Sequence, residues 1–102
     1  MNTILVPTDF SSPASNALRY AMEVAKKEKA TLLLIHAFDV NNITPYNTMP
    51  MIAEKIGRKE METEEHLKKI CTRVKEQGLP CSYLNKLGDP IDVILNTLAG
   101  EK

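Results

Sequence analysis

The sequence predicts an α/β protein built on a doubly wound parallel sheet, and three observations carry this prediction. Continuous apolar runs at residues 4–6 and 31–38 are typical of strands buried on both faces. A segment with helical periodicity joins them, which predicts a βαβ unit with a right-handed crossover. Two further helical segments flank a third, more polar strand, so the predicted order is β-α-β-α-β-α, a Rossmann-like arrangement.

Length, charge and cysteine content narrow the class of protein. A chain of 102 residues suits one domain, covering residues 1–102. Its 13 basic residues balance 13 acidic ones, which argues against nucleic acid and membrane surfaces as partners. Two cysteines are too few for a disulfide scaffold. No apolar run is long enough for a membrane span or a signal peptide, so we expect a cytoplasmic protein.

The first βα unit begins with the strand Ile4–Val6, which Pro7 is predicted to end because proline donates no hydrogen bond to a ladder. Ser12 is then predicted to be the N-cap of a helix, with Pro13 as its first residue. One face of this helix carries Ala14, Ala17, Leu18, Ala21, Met22 and Ala25.

The second unit begins with the strand Thr31–Phe38, followed by an asparagine- and proline-rich loop from Asp39 to Pro50. A long helix is predicted over residues 51–77, and Gly78 supplies the left-handed residue that ends it. Its predicted buried face consists of Thr63, Leu67, Ile70, Cys71 and Val74.

The third strand is predicted over Cys81–Leu87, and its polar residues suit the edge of a sheet. Asp89 is the predicted cap of the last helix and Pro90 its first residue. The predicted buried face of this helix consists of Ile91, Ile94, Leu95 and Leu98.

Pro7, Thr8, Asp9 and Phe10 form the candidate site, because they lie at the carboxyl end of a parallel strand, where ligands of open α/β sheets bind. The following helix would offer free N–H groups and a positive dipole end to an anion. Asp9 suits a sugar hydroxyl, a base amino group or a metal ion that carries phosphates. It equally suits the capping of backbone amides in the following turn, and the residues alone leave both readings open.

The remaining polar and sulfur side chains have structural explanations. His36 lies in an apolar strand and is predicted to be a satisfied core histidine, and His66 is predicted to lie on a solvated helix face. Packing accounts for Cys71 and Cys81, which have no CxxC spacing. We identify no catalytic residue and no metal site made of protein side chains.

Three stretches together resemble the universal stress protein family over essentially the whole chain. "ILVPTDFSSPASNALRYAMEVA" resembles the family's opening strand, loop and helix, and "ATLLLIHAFDV" resembles its second strand. "GDPIDVIL" resembles the exit of the third strand and the helix that follows. The order and separation of the three stretches also resemble the family.

This resemblance implies a nucleotide-binding α/β domain of the stress response, often dimeric, whose ligand is ATP or another adenine nucleotide with Mg²⁺ accompanying the phosphates. It places Pro7, Thr8 and Asp9 against ribose and adenine, with Phe10 in the same loop. Main-chain groups of Ala37, with Phe38 beside it, would bind the adenine edge.

The sequence departs from the family's ATP-binding members at the phosphate site. Those members carry a Gly-x-x-G loop, whereas the four glycines here have no such spacing. The resemblance implies a strand order of 3-2-1-4-5, and the chain stops at Lys102, before the fourth strand. We therefore expect an N-terminal portion of the domain with impaired binding. Its strand at residues 4–6 would lie at an open edge, so we expect the chain either to self-associate through that edge or to be marginally stable.

The leading functional hypothesis is thus a dimeric adenine-nucleotide-binding module of the stress response. One alternative is a universal stress protein that binds no nucleotide and acts through protein contacts. The other is a slow ATPase, for which the sequence shows no general base, phosphate-binding lysine or glycine loop.

Overall fold

The computed structural model describes residues 2–40 and 44–100, and it has the predicted order of alternating strands and helices. The elements are β1 (Thr3–Pro7), α1 (Ser12–Glu28), β2 (Thr31–Phe38), α2 (Met49–Glu76), β3 (Cys81–Leu87) and α3 (Pro90–Gly100). The bounds of β2 and β3 are those that the sequence predicts. None of the helices in the described ranges is long and apolar enough to cross a membrane.

The three strands form one parallel sheet in the order β1-β2-β3. This matches the first part of the order that the family resemblance implies, and it leaves β1 at one edge. The central strand β2 is buried on both faces: Leu32 and Leu34 point to one side, and Leu33 and Ile35 point to the other. The continuous apolar run in the sequence reflects this double burial.

The larger core lies between the sheet and the helices α1 and α2. Its buried residues are Val6, Ala25, Ala30, Leu32, Leu34, Leu67, Cys71, Val74, Leu79 and Cys81. Thr63 is also buried, and Ile70 packs against the cluster, so the predicted face of α2 is confirmed. On α1, Ala25 is fully buried, but Ala17 of the predicted face is exposed.

The smaller core lies between the other face of the sheet and α3, and here one residue of the predicted face, Ile94, is confirmed and three are wrong. Val93 is buried against Leu33 and Ile35, and Ile94 packs beside it. The other three residues predicted to be buried are exposed, with fractional exposures of 67% for Ile91, 57% for Leu95 and 51% for Leu98. The helix carries apolar residues on more than one stripe, and the sheet covers only one of them.

Three predicted boundaries also need correction. Ser11, not Ser12, is the N-cap of α1: its side chain accepts the Ala14 N–H, which leaves Pro13 in the first turn. Pro7 belongs to β1 and pairs with Ile35. The Thr8 N–H donates to β2, and the backbone groups of consecutive strand residues point to opposite sides. The position of the missing Pro7 N–H is therefore on the free edge of β1, where no hydrogen bond is lost.

The helix α2 begins earlier than the sequence predicts. Thr48 is its N-cap and accepts the Met51 N–H, so Pro50 lies in the first turn and not in the loop. Two other predicted ends are confirmed. Gly78 follows α2 with φ +85°, and Asp89 caps α3 by accepting the Ile91 N–H at 2.8 Å.

The end of α1 generates a stability prediction. Lys29 has the left-handed conformation, with φ 54° and ψ 45°, and its N–H donates to the Ala25 carbonyl. This conformation costs an L-residue about 1–2 kcal/mol and suits glycine. Lys29→Gly should therefore raise the free energy of unfolding in urea by about 0.5–1 kcal/mol.

Lys27→Gly is the matched control, because Lys27 is an exposed residue within the last turn of the same helix. A glycine there should lower the free energy of unfolding by about 1 kcal/mol. If both substitutions destabilise the chain equally, the left-handed cap does not contribute in this way.

Candidate functional site

A cleft of about 440 Å³ opens at the carboxyl end of β1, on the side of the sheet that α3 covers. It is lined by Pro7, Thr8, Asp9, Ser11, Pro13, Ala14, Ile35, Ala37, Pro90 and Ile94. Its walls thus come from the β1–α1 loop, the end of β2 and the start of α3. This position, outside the carboxyl ends of parallel strands, is where open α/β sheets bind ligands.

The main chain of Ala37 faces the cleft because β2 is longer than β1. Pairing between the two strands ends at Pro7 and Ile35, with one more bond from the Thr8 N–H to the Ile35 carbonyl at 2.9 Å. Ala37 follows Ile35 by two residues, so its N–H and C=O point in the same direction as those of Ile35. They are directed past the end of β1, into the space above Thr8 and Asp9.

Asp9 forms a tight turn at the edge of the cleft. Its Oδ1 accepts the Ser11 N–H at 3.0 Å, so the capping that the sequence allows is confirmed. Hydrogen bonds from the Ser11 side chain and the Ser11 N–H lower the pKa of this exposed carboxyl below 3.8. Asp9 is therefore ionised at neutral pH, and its second oxygen allows a ligand contact alongside the turn.

The start of α1 does not offer the row of free N–H groups that its position suggests. The Ser11 N–H donates to Asp9, the Ala14 N–H donates to Ser11 Oγ, and Pro13 has none. The described residues that line the cleft also include no lysine or arginine. This arrangement suits the hydroxyl groups and base of a nucleoside better than it suits phosphate.

Phe10 does not contribute its side chain to the cleft, although it belongs to the predicted site. Its φ of +65° turns the ring to the opposite face of the sheet, and the Thr8 hydroxyl accepts its N–H at 3.1 Å. There the ring lies between His36 and His66, with centroid distances of 4.5 Å and 4.1 Å.

The two histidines have the structural roles that the sequence predicts, with one addition. His36 is buried, and its Nδ1 lies 2.9 Å from Oδ1 of Asn85, which is an acceptor for the ring N–H. His66 is exposed on α2, as predicted, but its stacking on Phe10 gives it a packing partner that the sequence does not indicate.

Phe38 is also absent from the cleft. Its side chain is buried, with 3% exposure, and by strand alternation it points to the same face as Leu34 and His36. Of the predicted site residues, the structure therefore brings Pro7, Thr8, Asp9 and Ala37 together at the cleft. The side chains of Phe10 and Phe38 lie on the opposite face of the sheet, toward α1 and α2.

α3 contributes a wall of the cleft that was not among the residues predicted from the sequence. Pro90 and Ile94 line the cleft opposite Asp9 and Ala37. The signal was present, because Gly88, Asp89 and Pro90 mark a helix start at the carboxyl end of a strand. This signal predicts where α3 begins, but it does not show that α3 packs on the same face of the sheet as the cleft.

A second cleft lies behind the sheet, between α1 and α2, with a volume of about 540 Å³. Its lining includes Phe10, Leu18, Met22, His66 and Ile70. The described residues contain no cluster of three or more histidine, cysteine or acidic side chains placed to hold a metal ion.

Comparison with known families gives one match that spans the sequence. The model of the universal stress protein family matches residues 1–102. A curated universal stress protein of Synechocystis is 26% identical over an alignment 98 positions long, which covers 85% of this chain and 64% of that relative. The chain thus spans less than two thirds of this relative's length.

Solved structures show the same fold. The universal stress protein UspA from Lactobacillus plantarum is 19% identical, with a TM-score of 0.81 over 97% of this chain and 69% of that one. A universal stress protein in complex with cAMP is 17% identical, with a TM-score of 0.59 over 97% of this chain and 69% of its own. A family member from Arabidopsis thaliana with AMP bound is 19% identical, with a TM-score of 0.57 over 98% of this chain and 70% of its own.

The turn at Asp9 predicts a titration that can be measured. In NMR of side-chain carboxyl groups, Asp9 should titrate below 3.8. Ser11→Gly removes the hydroxyl that contributes most to the lowered pKa, so the midpoint should rise toward 3.8 yet stay below it, because the backbone N–H remains. Glycine is also tolerated at an N-cap.

The exposed neighbour Ser12 gives the matched control, and Ser12→Gly should leave the Asp9 midpoint unchanged. Because folding lowers this pKa, the turn favours folding above the unfolded-state pKa, and its contribution disappears as the pH falls through the folded-state pKa. A midpoint that Ser11→Gly does not move would contradict the assignment of the hydrogen bond.

Proposed function

Since this chain belongs to the universal stress protein family, we propose that its cleft binds the adenosine portion of an adenine nucleotide. The family members solved with cAMP and with AMP support this class of ligand. The observation that carries the proposal is the overhang of β2, which directs the N–H and C=O of Ala37 into the cleft.

Adenine and the nucleoside sugar match the groups that line this cleft. Adenine presents an amino donor beside a ring-nitrogen acceptor, a pair that complements one peptide carbonyl and one N–H. The ionised carboxylate of Asp9 accepts hydrogen bonds from ribose hydroxyls, and Pro7 and Thr8 lie beside it.

Phosphate groups gain little in this cleft. Asp9 and Ser11 cap the start of α1, and the charge of Asp9 repels an anion placed close to it. We therefore propose that a nucleotide binds through its nucleoside and extends its phosphates toward solvent. This favours a binding module of the stress response over the slow ATPase, and Mg²⁺ would accompany the phosphates, not the protein.

Binding measurements test this proposal. By isothermal titration calorimetry, adenosine, AMP and ATP should bind with affinities within about threefold of one another. Phosphates that extend into solvent gain little from ion pairs with the protein, so adding them should change the affinity little. Asp9→Asn keeps an acceptor for the turn but removes the charge. It should weaken all three ligands by about threefold to tenfold, since charged hydrogen bonds are roughly twice as strong as neutral ones.

The control is Glu62→Gln, which removes one negative charge from an exposed position on α2. Its affinities should equal those of the unsubstituted chain. Unchanged binding in Asp9→Asn would remove Asp9 from the site. Binding of ATP that greatly exceeds that of adenosine would show that the phosphates have protein contacts that the cleft does not provide.

We further propose that the chain self-associates through β1. This strand lies at the edge of the sheet, and the N–H groups of Thr3 and Leu5 face outward, since those of the alternate residues bond to β2. An edge strand with unpaired backbone groups and apolar side chains is a template for pairing with a second copy.

Sedimentation at micromolar concentration should therefore show dimers or larger species. Thr3→Lys places a charge on the open edge and should reduce association. Ser82→Lys places the same charge on β3, an exposed position on the opposite edge strand, and should not. A monodisperse monomer with a cooperative melt would contradict association through β1, as would equal effects of the two substitutions.

A further inference from the structure

The fold brings together two cysteines that the sequence gives no reason to pair. Cys71 lies in the last turns of α2 and Cys81 is the first residue of β3, and their Sγ atoms are 2.9 Å apart. Both are free thiols and both are buried, with exposures of 3% and 7%. They are the two cysteines of the sequence, so any change in thiol content is assigned without ambiguity.

The contact between α2 and β3 fixes the position of this pair. Alternate residues of β3 face the helix, and two of them are joined to it by hydrogen bonds. The Tyr83 hydroxyl donates to Glu64 at 3.1 Å, and the Asn85 side chain donates to the Thr63 hydroxyl at 2.8 Å. Cys81 belongs to the same series of alternate residues. The two hydrogen bonds fix the orientation of α2 against β3, and this orientation also brings the two thiols into contact.

We propose that Cys71 and Cys81 form an intramolecular disulfide in the folded chain when a low-molecular-weight disulfide such as oxidised glutathione is present. The thiolate of one cysteine attacks the oxidant, forms a mixed disulfide and releases one small thiol. The second cysteine then loses its proton and attacks the protein sulfur, which releases the second small thiol. Two S–H bonds are lost, one S–S bond forms, and the oxidant is reduced to two thiols.

The side chains around the pair favour a disulfide over a metal site. The described residues hold no cluster of three metal-binding side chains, so the two sulfurs have no third protein ligand beside them. A disulfide needs only the two sulfurs and is about 2.05 Å long, so they need to approach by roughly 0.9 Å.

Burial slows the reaction of the reduced pair with an oxidant. Burial and the hydrogen bond to Cys71 raise the pKa of Cys81 to about 12, so this thiol remains protonated at neutral pH. Access for the oxidant comes from the position of Cys81 at the start of an edge strand, where local opening needs little disruption of the sheet.

The test compares the folded and unfolded chain in the same redox buffer. The reduced chain is equilibrated with defined ratios of reduced to oxidised glutathione, with and without urea, then acid-quenched and weighed by mass spectrometry. Because the fold holds the sulfurs in contact, the internal disulfide, detected as a loss of two hydrogens, should be at least about tenfold more favoured in the folded chain. Linkage then requires the oxidised chain to resist urea more than the reduced chain.

The single variants Cys71→Ser and Cys81→Ser serve as controls, because neither can form the internal disulfide and each gains at most one glutathionyl group. The comparison within the unsubstituted chain does not depend on how well these variants fold. An internal disulfide that is no more favoured in the folded chain than in urea would overturn the proposal. So would oxidation of the folded chain to intermolecular dimers in place of the internal bond.

Discussion

The burial of β2 on both faces is the constraint on which the rest of the structure depends. Leu32 and Leu34 pack against α1 and α2, while Leu33 and Ile35 pack against the α3 side. Burial of each such side chain contributes about 1.5–3 kcal/mol, so this strand supplies the centre of both cores. Because β2 is central and parallel to both neighbours, its carboxyl end lies among the loops that lead into the helices. The cleft is built at that end.

The cleft follows from a difference in strand length and from the way α1 begins. β2 has eight residues and β1 has five, so the end of β2 passes its neighbour and leaves the Ala37 main chain facing open space. At the same point, Asp9 and Ser11 use the first free N–H groups of the loop and helix for local capping. The result is a site with peptide hydrogen-bonding groups and one carboxylate, which matches a nucleoside more closely than a chain of phosphates.

The sequence predicted what depends on pattern and missed what depends on orientation. The bounds of β2 follow from its apolar run, those of β3 follow from Pro80 and Gly88 on either side, and the structure has the same bounds. The buried stripe of α3 could not be chosen, because Ile91 and Val93 are equally apolar and only the sheet decides between them. The direction of Phe10 depends on a positive φ and a partner on α2, neither of which has a local signature. The Cys71–Cys81 contact likewise forms across a turn whose geometry the spacing does not encode.

One measurement tests the central claim, that the cleft beside Asp9 and Ala37 holds the nucleoside. Adenosine is titrated into the ¹⁵N-labelled chain, and the amide shifts are followed by NMR. The largest changes should fall on Thr8, Asp9 and Ala37, with little change at Leu18, Met22 and Ile70 in the cleft between α1 and α2. Changes concentrated at those three residues behind the sheet would contradict it and would place the ligand on the opposite face.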